Sequence, residues 1–543
     1  MNTTLLEELD VLVIGGGFSG VYQLDRLRTL GYNVKIYEAG TGLGGVWHWN
    51  SYPGARVDTW APVYQFSREE LWRDWNWSEM YPGRDELVRY FEYVDEKLDL
   101  SKDVRYETRV LAGRFDEETH TWTLVSRNER TGEEFTTQAR FVIMCLGAGS
   151  KPLFPNIPGL EKFGGDCFHT ARWPLEGYDL AGKRVAVIGT GASGIQVIQE
   201  ASKVADHLTV FQRTPNTALP MNQRALGEAD NAEMKKTYPE RFANRKNTWA
   251  GFDYDFLKEN IQDLTEERRN EILEELWTNG GLQPWLGGFL NVLFDKDDND
   301  ILYAFWRDKT RQRITRPELV ELLAPTEPIH PWGVKRVSLE QNYYESLCRD
   351  NVELVDTSAN PIREVAGDTI VTADGTRHEV DVIVLATGFD SVTGGLTAID
   401  IRGTRNETFE EVFRGGSRTA LGKATVGFPN LLYVYGPQSP NAFCNGPTCA
   451  ELEGEHLIQI VEHMRNNGYT RIEAKPEAQQ YWGAHIAELT SATLFPLAKS
   501  WYMGANVPGK TVEMLMYPGG LSVYLEILEK AAAGGYQEQF ELV

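Results

Sequence analysis

Cysteine is scarce in this 543-residue sequence: five residues, Cys145, Cys167, Cys348, Cys444 and Cys449. An odd number scattered over so long a chain argues against a disulfide scaffold and for a reducing compartment. The Cys444/Cys449 spacing is not CxxC and no histidine stands at zinc spacing, so no metal site is expected. Basic charge is also short: 54 Lys+Arg face 78 Asp+Glu, a formal charge of −24. Such a surface repels phosphate backbones and anionic bilayers, which removes nucleic acid and membranes as expected partners. No apolar run approaches the ~20 residues of a membrane span. The first apolar stretch feeds into a glycine motif rather than a signal-peptide cleavage site, and the final Glu-Leu-Val is no recognised address. A cytoplasmic monomer is the expectation.

Glycine, by contrast, is plentiful at 51 residues, and its placement is informative. Val11 to Ile14 reads as a buried parallel strand, followed by Gly15-Gly-Gly17-Phe-Ser-Gly20 and a helix-like stretch. In this strand-turn-helix setting Gly15 permits the tight turn, Gly17 lets backbone approach a pyrophosphate, and Gly20 allows close packing. The next strand, Val34 to Tyr37, ends at Glu38, about 20 residues on, where a carboxylate binds ribose hydroxyls and repels a 2′-phosphate. The site suits FAD or NAD rather than NADP. The pattern recurs at Val185 to Ile188, Gly189-Thr190-Gly191-Ala-Ser193-Gly194 and a further strand, Leu208 to Phe211. Here Arg213 and Thr214 stand in place of the acid, a pairing that suits the 2′-phosphate of NADP.

Two units with opposite ribose chemistry imply FAD and NADPH in one protein, with hydride passing from nicotinamide to flavin. Asp381 to Leu385 followed by Ala386-Thr387-Gly388-Phe389-Asp390 marks a return to the FAD unit, and Phe141 to Gly147 a plausible counterpart where the chain leaves it. The fold class expected is α/β, with two Rossmann-like dinucleotide-binding domains and a helical insertion. The divisions are 1–150 with 387–543 for FAD, 151–220 with 331–386 for NADP, and 221–330 for an insertion packed on the NADP unit. Gly40 to Arg56, beside the first motif, contains no cysteine, which disfavours a disulfide reductase and leaves oxygen as the main electron acceptor.

Residues 163–174 read Phe163-Gly-Gly165-Asp-Cys-Phe-His169-Thr-Ala-Arg-Trp173-Pro174. They match FxGxxxHxxxW(P/D), and Gly44, Gly45, Trp47, Tyr52, Pro53, Gly54 and Asp58 match GGxWxxxx(Y/F)PGxxxD. On these two patterns the chain resembles the type I Baeyer–Villiger monooxygenases over essentially its full length. N-oxygenating relatives carry Tyr where Trp173 stands. The resemblance implies an NADPH- and O2-dependent flavoprotein that inserts oxygen beside a ketone carbonyl through a flavin peroxide. The product is an ester or lactone, with side activity on sulfides. The competing readings are a sulfide or amine oxygenase, an uncoupled NADPH oxidase, and a non-catalytic flavin sensor.

The peroxide must stay deprotonated and its adduct must be stabilised, which a permanently charged donor accomplishes. The resemblance assigns that role to Arg336, with Asp58 as its counter-charge, and the 2′-phosphate to Lys335. It places Gly45, Val46, Trp47, Tyr64 and Val110 near the flavin or its adenine, and Trp501 on a loop that folds over nicotinamide and substrate. His169 it gives a part in coupling the domains rather than in chemistry. Ala442, Phe443 and Cys444 follow the expected strand Leu431 to Tyr435, at whose end α/β sheets keep their sites, and are expected at the substrate, with Phe443 narrowing the pocket and Cys444 filling it.

Overall fold

The computed structural model describes residues 4–543. Its first sheet has eight strands. Along one path they run Asp400–Arg402, Thr108–Asp116, Thr121–Asn128, Glu134–Met144, Thr4–Ile14, Val34–Tyr37 and Val104–Arg105. The eighth, Leu431–Tyr433, pairs in parallel with the second half of Glu134–Met144. Val11, Leu12 and Val13 have no exposure, as an unbroken apolar run between two parallel neighbours requires. This strand begins at Thr4, well before the apolar run, because its polar first half pairs with Phe135 to Ala139.

The second sheet is wholly parallel, in the order Val352–Asp356, His207–Gln212, Arg184–Ile188, Val382–Leu385, Asp166–His169. The sequence fingerprint at 163–174 thus supplies an edge strand, and His169 sits at its carboxyl end. The two sheets share one continuous buried core, which also takes in Trp285 and Trp306 from the helical segment.

That segment holds Glu228–Asn244, Glu266–Asn279 and Lys296–Arg311. The chain enters and leaves it through two short strands lying side by side, Leu219–Pro220 and Leu339–Glu340. Trp306 Nε1 donates to the Ala218 carbonyl at 2.8 Å. The segment also reaches the other unit, in addition to the NADP unit on which it is expected to pack. Arg245 pairs with Glu451 at 2.8 Å, both side chains nearly inaccessible, and Glu451 belongs to the helix Gly446–Asn467. A two-sided contact is what allows a helical insertion to hold groups between two nucleotide units.

The same long helix carries Glu453, whose carboxylate meets Lys423 Nζ at 2.7 Å with neither side chain exposed. Burial pulls the Lys423 pKa below its ordinary value against the opposing pull of Glu453. Lys423 also lies 5.5 Å from the Tyr524 ring centre. A buried pair of this kind fixes the orientation of the helix, because neither charge has water as an alternative partner.

Candidate active site

A cavity of about 610 Å3 opens beside the first glycine turn and extends to Arg336. Gly15 has φ +106°, and a Cβ there would lie 2.5 Å from the Cys145 carbonyl oxygen. Gly45 has φ +56°, and its added Cβ would meet Gly17 Cα at 3.0 Å. The two bare backbones form a cradle that side chains would fill. The helix Phe18–Thr29 starts at Gly17 with no side-chain cap, so its first N–H groups are left for an anion. Glu38 is buried, and its two oxygens accept from Gly16 N–H and Gly40 N–H, each at 2.7 Å. Each oxygen keeps a lone pair for a ribose hydroxyl. These features fit FAD.

Val46, Trp47, Tyr64 and Val110 also line the cavity. Trp47 Nε1 donates to Tyr64 Oη at 3.1 Å, and Arg84 holds the carbonyls of Trp47 and His48 at 2.9 and 3.0 Å. Gly20 does not reach the cavity: a Cβ there would fall 1.9 Å from the Gly15 oxygen, so its place is helix-on-strand packing.

In the same cavity wall, Arg336 Nε and Nη2 both donate to Asp58 Oδ2, at 2.9 and 2.7 Å, and Nη1 donates to the Ala442 carbonyl at 2.9 Å. Burial works against the guanidinium charge, and the Asp58 carboxylate more than offsets it, so the pKa lies above the usual arginine value. The segment bearing Arg336 is fixed from the helical insertion. Asn299 accepts from Trp332 N–H at 2.7 Å and donates to the Trp332 carbonyl at 2.9 Å.

The second glycine turn lies apart from this cavity, at the carboxyl end of Arg184–Ile188. Gly189 has φ +108° with Ala386 O against it, Gly194 packs on Gly189 O, and the Cβ position of Gly191 is open. The helix Ala192–Val204 again lacks a side-chain cap, and Ser193 lies in its first turn. Thr190 Oγ1 donates to the Thr214 carbonyl at 3.1 Å. Arg213 is exposed. Burial lowers the Lys335 pKa, and the neighbouring Arg213 charge lowers it further. Two cations close enough for one to act on the other suit a phosphate, so the residues present fit NADP.

Three expectations need correction. Phe443 does not line the cavity. It is in a 3-10 turn, Asn441–Phe443, where successive side chains diverge by about 120°. Ala442 and Cys444 face the cavity, and Phe443 packs against Trp249, Tyr502 and Phe495 with ring centres 5.0 to 5.4 Å apart. Cys444 and Cys449 form a disulfide, against the expectation that the cysteines stay reduced. The turn and the Asn445-capped helix double the chain back, so their Cα atoms are 6.3 Å apart. The remaining cysteines are free. Third, the strand expected over 431–435 stops at Tyr433, because Tyr435 takes φ +58° and turns into the cavity wall.

Trp501 lines the cavity, stacked edge-on to Tyr502 at 4.6 Å. Its loop is tied to residues 389–390: Asn506 Nδ2 donates to the Phe389 carbonyl at 2.8 Å and Lys510 Nζ to Asp390 at 2.9 Å. His169 is buried between the rings of Phe154 and Phe389, and burial lowers its pKa to about 4.

Sequence reasoning missed Asn299 and Tyr435. Asn299 shares a helix face with Leu302, Tyr303 and Trp306, and a polar residue on an apolar stripe was the available sign. Asn445 caps the helix Gly446–Asn467, its Oδ1 accepting from Thr448 N–H at 3.0 Å, and borders the cavity. Asn-Gly-Pro-Thr is a readable helix start.

Residues 9–224 match the model of the flavin-binding monooxygenase-like family. Cyclopentanone 1,2-monooxygenase of Comamonas sp. (strain NCIMB 9872) is 51% identical over 99% of this chain and 96% of its own. The Baeyer-Villiger monooxygenase of Pseudooceanicola batsensis is 34% identical over 98% of this chain and 96% of its own. The crystal structure of the OTEMO complex with FAD and NADP superposes with TM-score 0.93 at 37% identity, covering 98% of this chain and 99% of the other.

Proposed function

Because the chain belongs to the Baeyer–Villiger monooxygenases, we propose that its own ketones are small and cyclic, turned over beside the Arg336–Asp58 pair. The protein is an FAD- and NADPH-dependent monooxygenase that inserts one oxygen atom next to a ketone carbonyl, giving an ester or lactone. The flavin, reduced by NADPH, supplies the oxygen activation. Everything else falls to the chain.

The observation that carries the reading is Arg336 lining the same cavity as the glycine turn, charged and held by three hydrogen bonds. A fixed cation there stabilises the anion that develops when oxygen adds to a carbonyl, without reorganising at the moment of reaction. Asp58 is its positioning partner. Lys335 and Arg213 take the 2′-phosphate, and the glycine turns with Glu38 take the dinucleotides. Ala442 and Cys444 face the substrate. Trp501 covers nicotinamide and substrate and excludes water. Cyclic ketones are favoured by the 51% identical relative, whose name specifies cyclopentanone, and sulfides are proposed as side substrates.

The division into 1–150 with 387–543, 151–220 with 331–386, and 221–330 is supported by strand membership of the two sheets. A cytoplasmic monomer is our reading, supported by the free thiols of Cys145, Cys167 and Cys348; an elution mass other than 61.4 kDa would count against it. The deciding experiment incubates the protein with NADPH, oxygen and a panel of cyclic, linear and aryl ketones. Lactones from the small cyclic members, formed in step with NADPH use, are expected. Products from the linear or aryl ketones alone would refute the substrate proposal.

A further inference from the structure

The mechanism above leaves one redox-capable group at the cavity unused. Cys444 borders the cavity together with Arg336, Asn445, Gly446 and Trp501. Its disulfide partner Cys449 has no exposure. On the far side the chain of the helical insertion closes over the pair: a Cβ on Gly251 would fall 3.1 Å from Cys444 Sγ and 2.9 Å from the Thr448 methyl. Asn445 N–H donates to the Ala250 carbonyl at 3.3 Å. The disulfide is therefore covered by protein except where Cys444 meets the cavity. A macromolecular thiol cannot reach either sulfur, because exchange requires in-line approach to the sulfur attacked. Whatever reduces this bond must stand inside the cavity.

The surroundings also decide which sulfur would leave. Cys449 is in the first turns of the 22-residue helix Gly446–Asn467, and its N–H bonds to the Asn445 carbonyl at 3.1 Å. A helix N-terminus favours a thiolate. The buried Arg245 guanidinium that donates to Thr448 Oγ1 at 3.0 Å is paired with Glu451 at 2.8 Å, so the stabilisation comes from the helix N-terminus. Electrons arriving at the cavity-facing Cys444 would thus displace Cys449 as a stabilised leaving group.

We infer that the Cys444–Cys449 bond is a second two-electron centre, reduced across the cavity at the expense of NADPH. The inference rests on the flavoprotein reading. The S–S bond accepts an electron pair from the reduced flavin and breaks. The two sulfurs take up two protons as thiols, and the flavin returns to its oxidised state. The sum is NADPH + H+ + RS–SR giving NADP+ + 2 RSH. Opening the bond also frees the Ala442–Cys444 turn from the helix, and Ala442 is the carbonyl that Arg336 grips.

The test is an anaerobic NADPH titration of the aerobically purified holoenzyme, read by flavin absorbance. Alkylation and peptide mass spectrometry before and after follow Cys444 and Cys449 themselves. The expected result is two equivalents of NADPH per flavin, against one for Cys449→Ser, with both cysteines alkylated only after NADPH. Because the alkylation is done on the unaltered protein, it stands even if the variant folds poorly. Uptake of a single equivalent with the pair still bonded overturns the inference, as does alkylation of both cysteines before NADPH is added. Failure of the flavin to bleach at any excess of NADPH would instead strike the flavoprotein reading.

Discussion

Replacing Asp58 with Ala isolates the contribution of the Arg336 anchor. Two guanidinium N–H groups converge on one carboxylate oxygen, and the side chains are 23% and 29% exposed. Removing one partner of a buried ion pair costs ~3–5 kcal/mol, and a charged hydrogen bond is worth ~1.5–3 kcal/mol. With about a quarter of each group in water, the smaller range applies, and about 2–3 kcal/mol is the working value. At ~1.4 kcal/mol per tenfold, that corresponds to about 30- to 150-fold in any step that needs the guanidinium in place. Arg336 would keep only the Ala442 carbonyl. Double-mixing stopped flow separates the two half-reactions. The oxygen-transfer step should slow by that factor, with NADPH diverted to hydrogen peroxide, while anaerobic flavin reduction changes little. Because the Arg336 pKa is raised, its stabilisation is complete below the ordinary arginine value and is lost only as pH rises through the still higher folded value. The ratio of wild type to variant should therefore be flat across the working pH range. Unchanged lactone yield per NADPH in Asp58→Ala, or an equal loss in flavin reduction, would refute the reasoning.

Arg213→Ala should raise the KM for NADPH by about 10- to 100-fold, the worth of a charge-assisted bond, and leave NADH almost unaffected; equal losses for both would separate Arg213 from the 2′-phosphate. Lys423→Met should lower unfolding stability by about 3–5 kcal/mol in urea titrations, and Lys423→Met with Glu453→Leu should recover most of it. A double variant as unstable as the single would mean the pair is not the cause. His169 has its pKa lowered to about 4 by burial. The unfolded chain takes up its proton first, so stability present above about 6.5 is lost as pH falls toward 4. His169→Gln should flatten the fall in the urea midpoint between neutral and mildly acid pH, and an unaltered slope would exclude His169 as a source.

What the sequence disclosed, and what it hid, follows from the range of each interaction. The glycine turns were legible because their strand, turn and helix are contiguous, and Glu38 and Arg213 because the fold fixes their offset. Arg336 could be singled out only by resemblance, since nothing local distinguishes it from a surface basic pair. Its anchors, Asp58 and Ala442, lie far off along the chain on separate elements. Phe443 was misplaced because a 3-10 turn decides which of three neighbours faces inward, and composition carries no such information. The disulfide escaped because cysteine count speaks to compartment, whereas the Asn445 cap brings these two sulfurs together. The helical insertion was legible as helix, but its contact with Glu451 required knowing where the long helix would lie.

Lys335 and Arg336 are consecutive, with Cα atoms about 3.8 Å apart across a planar peptide. One belongs with Arg213 at the second glycine turn and the other with Asp58 at the first cavity. The two cations therefore leave one backbone segment toward two different sets of partners, and a substitution that displaces this segment is expected to disturb both at once.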